Sequence, residues 1–137
     1  MTLALSMREV AHSVAEAAGE KPTLAPLTRR FDPGRFHVVG GPSGAGKTTL
    51  LSILSLSVRS TRGAIYWGDD DLTALSLSQQ QQWRRAHLGL IFQTSRLVGV
   101  MTAIVHVRLA ASLRGKPDAE AAGIAALEAL GMGDKLA

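Results

Sequence analysis

One stretch constrains this chain more than any other: Gly41-Pro42-Ser43-Gly44-Ala45-Gly46-Lys47-Thr48-Thr49. It fits G-x-x-x-x-G-K-[ST], the phosphate-binding P-loop, which has meaning only between a strand and a helix. Phe36-His37-Val38-Val39, just before it, is a short apolar run that reads as a buried strand. Thr49 to Leu56, just after it, reads as a helix facing a core. The residue types explain the chemistry. Gly41, Gly44 and Gly46 let the main chain approach a ligand closely. Successive backbone N–H groups then line a concavity for an anion. The helix N-terminus adds unpaired N–H groups and the positive end of its dipole. Lys47 supplies a mobile cation for the outer phosphates, and Thr48 a hydroxyl for Mg²⁺ between the β- and γ-phosphates. The segment is therefore expected to bind a nucleoside triphosphate.

A chain of 137 residues holds one domain with a modest core. Its 46% hydrophobic content places it among globular rather than disordered chains. The net charge of +4 suits a polyanionic ligand. There is no dense basic stripe with interleaved aromatics, so nucleic acid is not an expected partner. Without cysteine there are no disulfides and no thiolate metal sites. Arg8, Glu9 and Glu16 interrupt the region where a secretory signal would need an apolar run. No window is long and apolar enough to span a bilayer, so membrane association would come through a partner.

Along the chain, Leu3, Leu5 and Met7 alternate as in a half-buried strand, although Met7, Val10 and Val14 would also share a helical face. Gly19-Glu20-Lys21-Pro22 reads as a turn. Leu27, Arg29 and Phe31 alternate again before Asp32-Pro33-Gly34 turns the chain. Ala64 to Trp67 reads as a strand. Asp69, Asp70 and Asp71 read as a solvated turn rather than a metal site. Ser76 or Ser78 is a candidate cap for a helix through Arg85. Leu88 to Phe92 reads as a second buried strand, ending at Gln93. Thr102 to Leu113 and Asp118 to Leu130 read as helices, with Ile124, Leu127 and Leu130 on one side of the latter and Gly115-Lys116-Pro117 between them.

A P-loop alone names no reaction. A GTPase would need an Asn-Lys-x-Asp motif, and the chain contains no Asn. G-x-G-x-x-G fails because Lys47 and two threonines follow Gly46. The downstream order discriminates further. After the P-loop come Arg62-Gly63-Ala64-Ile65-Tyr66-Trp67-Gly68-Asp69-Asp70-Asp71-Leu72 and then Leu88-Gly89-Leu90-Ile91-Phe92-Gln93. In this order the chain resembles the ATP-binding subunit of ABC transporters. Arg96 to Val107 is similar to the stretch after that family's Q-loop, and Ala126 to Asp134 to its helical-subdomain segment. The resemblance covers nearly the whole chain, is firmest from Gly34 to Leu113, and leans toward the lipoprotein-release and macrolide-exporter branch.

The resemblance implies an α/β fold: an incomplete P-loop NTPase core with a small N-terminal antiparallel β layer and the start of a helical subdomain. The expected divisions are residues 1–34 for the β layer, 35–93 for the core and 94–137 for the subdomain. It also implies ATP and Mg²⁺ as ligands. Gly41, Pro42, Ser43, Gly44, Ala45, Gly46, Lys47, Thr48 and Thr49 would wrap the triphosphate. Thr48 would ligate the metal, and Gln93 would reach the Mg²⁺ and the attacking water. Val14 falls where the family usually stacks an aromatic on the base, and it has no π-face. Implied partners are transmembrane permease subunits and a second nucleotide-binding subunit, with the assembly at the cytoplasmic face of the cell membrane.

Several family features are missing. No Leu-Ser-Gly-Gly-Gln signature, Walker B strand ending in Asp-Glu, or switch histidine is found; Leu77-Ser78-Gln79-Gln80-Gln81 lacks the glycines, and histidines 12, 37, 87 and 106 are scattered. The expectation is a truncated subunit that binds Mg-nucleotide without turning it over alone. Its strands at 36–39 and 88–92 would have exposed edges. Lesser departures are Ser55-Leu56-Ser57 in place of a glycine turn and Val105-His106 in place of Glu-Asn. A stand-alone non-catalytic nucleotide-binding module, a functionless relic and, more distantly, a small P-loop kinase stay open as alternatives.

Overall fold

Alternation at the N-terminus produces a long hairpin, not a helix. In the computed structural model, which describes residues 3–17, 19–94, 97–115 and 118–133, strand β1 (Leu5–Glu16) pairs antiparallel with β2 (Gly19–Phe31), from Leu5↔Phe31 to Glu16↔Gly19. Met7 and Val10 are both fully buried although three residues apart. The ladder shifts register between them, and Glu9 adopts a φ of 49°. This bulge adds a residue and returns both side chains to one face, so a spacing that looked helical belongs to a strand. Thr28 Oγ1 accepts the Glu9 N–H at 2.9 Å, which satisfies the displaced backbone donor.

The turn expected at Gly19–Pro22 lies inside β2; the hairpin closes between Glu16 and Gly19. Pro22 is tolerated because β2 is an edge strand and Pro22 sits beside a register shift. On the other side of β1 lies β3 (Arg62–Trp67), with Met7 opposite Ile65, followed by the short β4 (Asp70–Asp71). The sheet order is β2-β1-β3-β4, all antiparallel.

Helix α1 (Lys47–Leu54) supplies the other half of the core. Leu50, Ile53 and Leu54 pack with Met7, Val10, Leu56, Ile65 and Leu72. The helix ends two residues before the expected Leu56, because Leu56 itself takes a φ of 56°. That conformation favours glycine; here burial of the Leu56 side chain holds it in place. Helix α2 (Leu77–His87) starts at a reciprocal cap: Ser76 Oγ accepts the Gln79 N–H and Gln79 Oε1 accepts the Ser76 N–H. Ser76, not Ser78, is thus the cap.

The chain divides into two compact units, residues 1–84 and 85–137. In the second, α3 (Ala103–Arg114) and α4 (Ala119–Ala129) match the expected helices to within one residue at each end. They pack closely where Gly123 meets Val107: a Cβ on Gly123 would lie 2.4 Å from Val107 Cγ1. Arg108 and Glu120 pair at 2.8 Å on the exposed side. Ile124 and Leu127 are half-buried, whereas Leu130 is exposed. Gly115 closes α3 in a left-handed conformation; Lys116, Pro117 and Asp134 lie outside the described residues.

Two expected strands do not form. Neither 36–39 nor 88–92 is assigned to a strand. Phe36 is 94% exposed and Ile91 fully exposed. A strand needs a neighbour to receive its N–H and C=O groups. The described sheet stops at β2 and β4, and neither run has a ladder partner among the described residues. Each therefore remains irregular despite its apolar sequence.

Candidate nucleotide site

The P-loop is an exposed turn that feeds directly into α1. Ala45 N–H bonds to Pro42 O at 3.3 Å, and Leu50 N–H to Gly46 O at 2.8 Å. Gly46 is the helix N-cap, with φ 84° and no side-chain cap bond, and the first turn carries no acidic residue. The opening N–H groups of α1 therefore have no competing side-chain anion in that turn, which suits a phosphate. Gly46 is required twice over. Its φ is left-handed, and a Cβ there would meet Thr23 O at 2.5 Å and Leu24 Cδ1 at 3.5 Å. The loop is thus packed against β2.

Lys47 does not swing free. Its Nζ donates to Gly41 O at 2.9 Å and to Pro42 O at 2.6 Å, strapping the side chain back across the loop. An ammonium carries three protons, so these bonds leave one donor for a ligand. Thr48 is exposed and Thr49 half-buried at the start of the same helix. The residues fit a magnesium nucleotide: backbone N–H groups and Lys47 for phosphate oxygens, and the Thr48 hydroxyl for a hard cation.

Val14 lies on β1 opposite Lys21 and is 38% exposed, an apolar side chain with no aromatic face. Gln93 belongs to the second unit, where it is exposed at a bend just after Phe92. The structure thus brings Lys47 and Thr48 together on one helix end, with Gln93 in the other unit.

Two residues that support the loop were not singled out from sequence. Thr23 donates its hydroxyl proton to His12 O at 3.1 Å and accepts from His12 Nδ1 at 2.6 Å. Its carbonyl is the atom that abuts Gly46. His12 therefore braces the strand that backs the P-loop. No local pattern announces such a contact, since it joins residues on three elements.

Of the run read as a solvated turn, only Asp69 lies in one; Asp70 and Asp71 form the short β4 against Trp67 and Tyr66. The Asp71 carboxylate accepts from the Thr73 hydroxyl, from Thr73 N–H at 2.8 Å and from Ala74 N–H at 3.3 Å. The Thr73 hydroxyl, aided by those N–H groups and opposed by partial burial, holds its carboxyl below the ordinary aspartate value. The carboxylate is committed to the backbone that follows it.

Loop, helix and antiparallel layer together define an incomplete P-loop NTPase fold. The chain superposes on the ATP-binding cassette MJ0796, solved as a dimer in a post-hydrolysis state bound to ADP and Pi, with a TM-score of 0.82. That match has 22% identity and covers 90% of this chain and 56% of the other. Residues 24–137 match the ABC transporter family, and the chain belongs to it. It is 34% identical over 122 residues to an ABC transporter ATP-binding protein of Methanocaldococcus jannaschii, covering 86% of this chain and 54% of that one. It is 31% identical to the macrolide export ATP-binding/permease protein MacB of Marinobacter nauticus, covering 96% of this chain and 21% of that one. It is 33% identical to the lipoprotein-releasing system ATP-binding protein LolD of Porphyromonas gingivalis, covering 81% and 51% respectively. The chain thus spans about half the length of the first and third of these relatives, and about a fifth of the second. No helix among its described residues is long and apolar enough to cross a membrane.

Proposed function

We propose that this chain binds Mg-ATP at Gly41–Thr49, as part of an ABC-type ATPase subunit that couples ATP hydrolysis to transport. The observation that carries the reading is the left-handed N-cap at Gly46 with Lys47 strapped over the loop. In this reading the loop N–H groups hold the phosphate oxygens, and the remaining Lys47 proton reaches the β- and γ-phosphates. Thr48 would hold Mg²⁺, which when bound would neutralise part of the phosphate charge. Val14 gives the base apolar contact only. The family resemblance would give Gln93 the role of reaching the metal and the attacking water in the whole subunit, to which hydrolysis by in-line attack belongs. The proposed divisions are residues 1–34, 35–93 and 94–137.

The relatives' names support the wider assembly. One combines an ATP-binding and a permease part, another belongs to a lipoprotein-releasing system, and the structural neighbour is dimeric. We infer permease subunits and a second nucleotide-binding subunit as partners, at the cytoplasmic face of a membrane. Calorimetric titration with Mg-ATP tests the site. Lys47→Ala is expected to weaken binding at least about tenfold, by loss of a charge-assisted contact. Binding that is unchanged in Lys47→Ala overturns the assignment.

A further inference from the structure

We propose that a cavity beside β3 binds a small amphiphilic anion, an acidic headgroup on a short apolar body. Buried Leu56, Ile65 and Gln80 and exposed Arg59 and Arg62 are all in its lining. The cavity holds about 340 Å³, and its lining residues fall between Leu56 and Gln80, within the first unit. That volume is at the lower end of the range for small-molecule sites. None of the lining residues belongs to the P-loop.

The loop that joins α1 to β3 builds the cavity, and hydrogen bonds fix it at both ends. Where it leaves α1, the Ser57 and Val58 N–H groups donate to Ser52 O at 2.8 and 3.1 Å, and Arg84 donates to Leu56 O at 3.0 Å. Where it enters β3, Thr61 donates to Ala11 O through its N–H at 2.9 Å and through its hydroxyl at 3.2 Å. Gly63 then passes so close to β1 that a Cβ would lie 2.4 Å from Arg8 O. These bonds form without a ligand, so the walls are set in advance, and a ligand need not pay to order them.

The electrostatics select the headgroup. Neither Arg59 nor Arg62 forms a salt bridge among the described residues. Thr73 lines the cavity, but its neighbour Asp71 directs its carboxylate to the Thr73 hydroxyl and to two backbone N–H groups. The two guanidinium groups are therefore open to an outside anion, which their planar forks match bidentately. Gln80 adds a fixed polar wall: Nε2 donates to Leu72 O at 3.0 Å, which uses one of its two protons. A purely polar anion would leave the surface of Leu56, Val58 and Ile65 unused. A purely apolar ligand would leave the arginines unpaired. The lining fits a ligand that has both parts.

Carbon-13 methyl NMR of the full chain, with octanoate as the probe, tests this. The Leu56, Val58 and Ile65 methyl signals should shift together and saturate with a midpoint at or below about 1 mM. Acetate, which lacks the apolar body, and octanol, which lacks the charge, should each bind at least about tenfold more weakly. Replacing both arginines, Arg59→Ala with Arg62→Ala, should weaken octanoate by at least about tenfold. Saturating Mg-ATP should leave the octanoate shifts in place, which separates this site from the P-loop. Shifts that remain linear to about 10 mM overturn the proposal. So does acetate or octanol binding as tightly as octanoate, or displacement of octanoate by Mg-ATP. These three readings use the unaltered chain and hold whether or not the double variant folds.

Discussion

Two apolar runs of similar length meet opposite fates in the first unit. Ala64-Ile65-Tyr66-Trp67 becomes part of β3, with β1 on one side and β4 on the other, and Ile65 is 1% exposed. Phe36-His37-Val38-Val39 forms no strand, and Val38 is 79% exposed. Among the described residues its side-chain contacts are few, and His37 Nε2 lies 3.1 Å from Asp32 O. His37 stacks edge-on against Phe31 at 5.3 Å, and Val39 packs partly on the core. The run at 88–92 in the second unit shares its fate. The difference is not hydrophobicity. A run becomes a strand when a neighbour stands ready to take its backbone groups, because an unpaired N–H gains nothing from leaving water.

The comparison can be broken most directly at the two centres. Ile65→Ala is expected to cost about 2–5 kcal/mol, the usual range for emptying a core site. Val38→Ala and Ile91→Ala should stay within about 0.5 kcal/mol, as exposed positions do. Urea midpoints decide it; equal losses at all three sites would mean that the exposed runs are packed in solution.

A matched pair of glycines sharpens the point. Gly63 in β3 and Gly44 in the P-loop have the same φ of 79°. A Cβ at Gly63 would lie 2.4 Å from Arg8 O and from Glu9 atoms, whereas at Gly44 it meets nothing within 4 Å. Gly44→Ala should therefore cost only the left-handed penalty of about 1–2 kcal/mol. Gly63→Ala should cost clearly more, because it pushes β3 away from β1. Thermal melts of the two variants should separate, and coincident melts would argue against tight pairing at that bulge.

A smaller effect is expected at the exposed runs. Ile91→Lys should leave the unfolding midpoint within about 0.5 kcal/mol of the parent. It should also reduce self-association in light scattering, since exposed apolar surface is the feature removed. The smallest effect concerns β4, the edge strand beside β3. Asp71 has its carboxyl held below the ordinary aspartate value in the folded chain, first by the Thr73 hydroxyl. Its contribution is therefore fully present above that value and is lost as pH falls through the lowered folded value. Melting temperature should drop more steeply below about pH 4 in the parent than in Asp71→Asn.

Much of the fold was legible along the chain because its cues are local. Ser76 with Gln79 announces a helix start through a reciprocal cap. Thr102 and Gly115 bracket α3, and Asp32-Pro33-Gly34 turns the chain where expected. The strand read from Leu3, Leu5 and Met7 formed as β1, and the i, i+3 spacing of Met7 and Val10 fits it because the bulge at Glu9 resets the strand's parity. Other readings missed what the folded chain decided. Lys47 was expected to be mobile, yet two loop carbonyls hold it. The brace of His12 and Thr23 behind Gly46 joins positions that no local window contains.

The residue order Gly41 to Thr49 was enough to require a glycine-rich turn into a helix, because glycine freedom and the helix start act within a few residues of one another. Composition was likewise enough to require a globular chain without disulfides. Only the folded arrangement decided which apolar runs become strands and which face Met7 and Val10 share. Those outcomes turn on what lies opposite each group in space, and backbone pairing and burial are properties of the pair rather than of either segment alone.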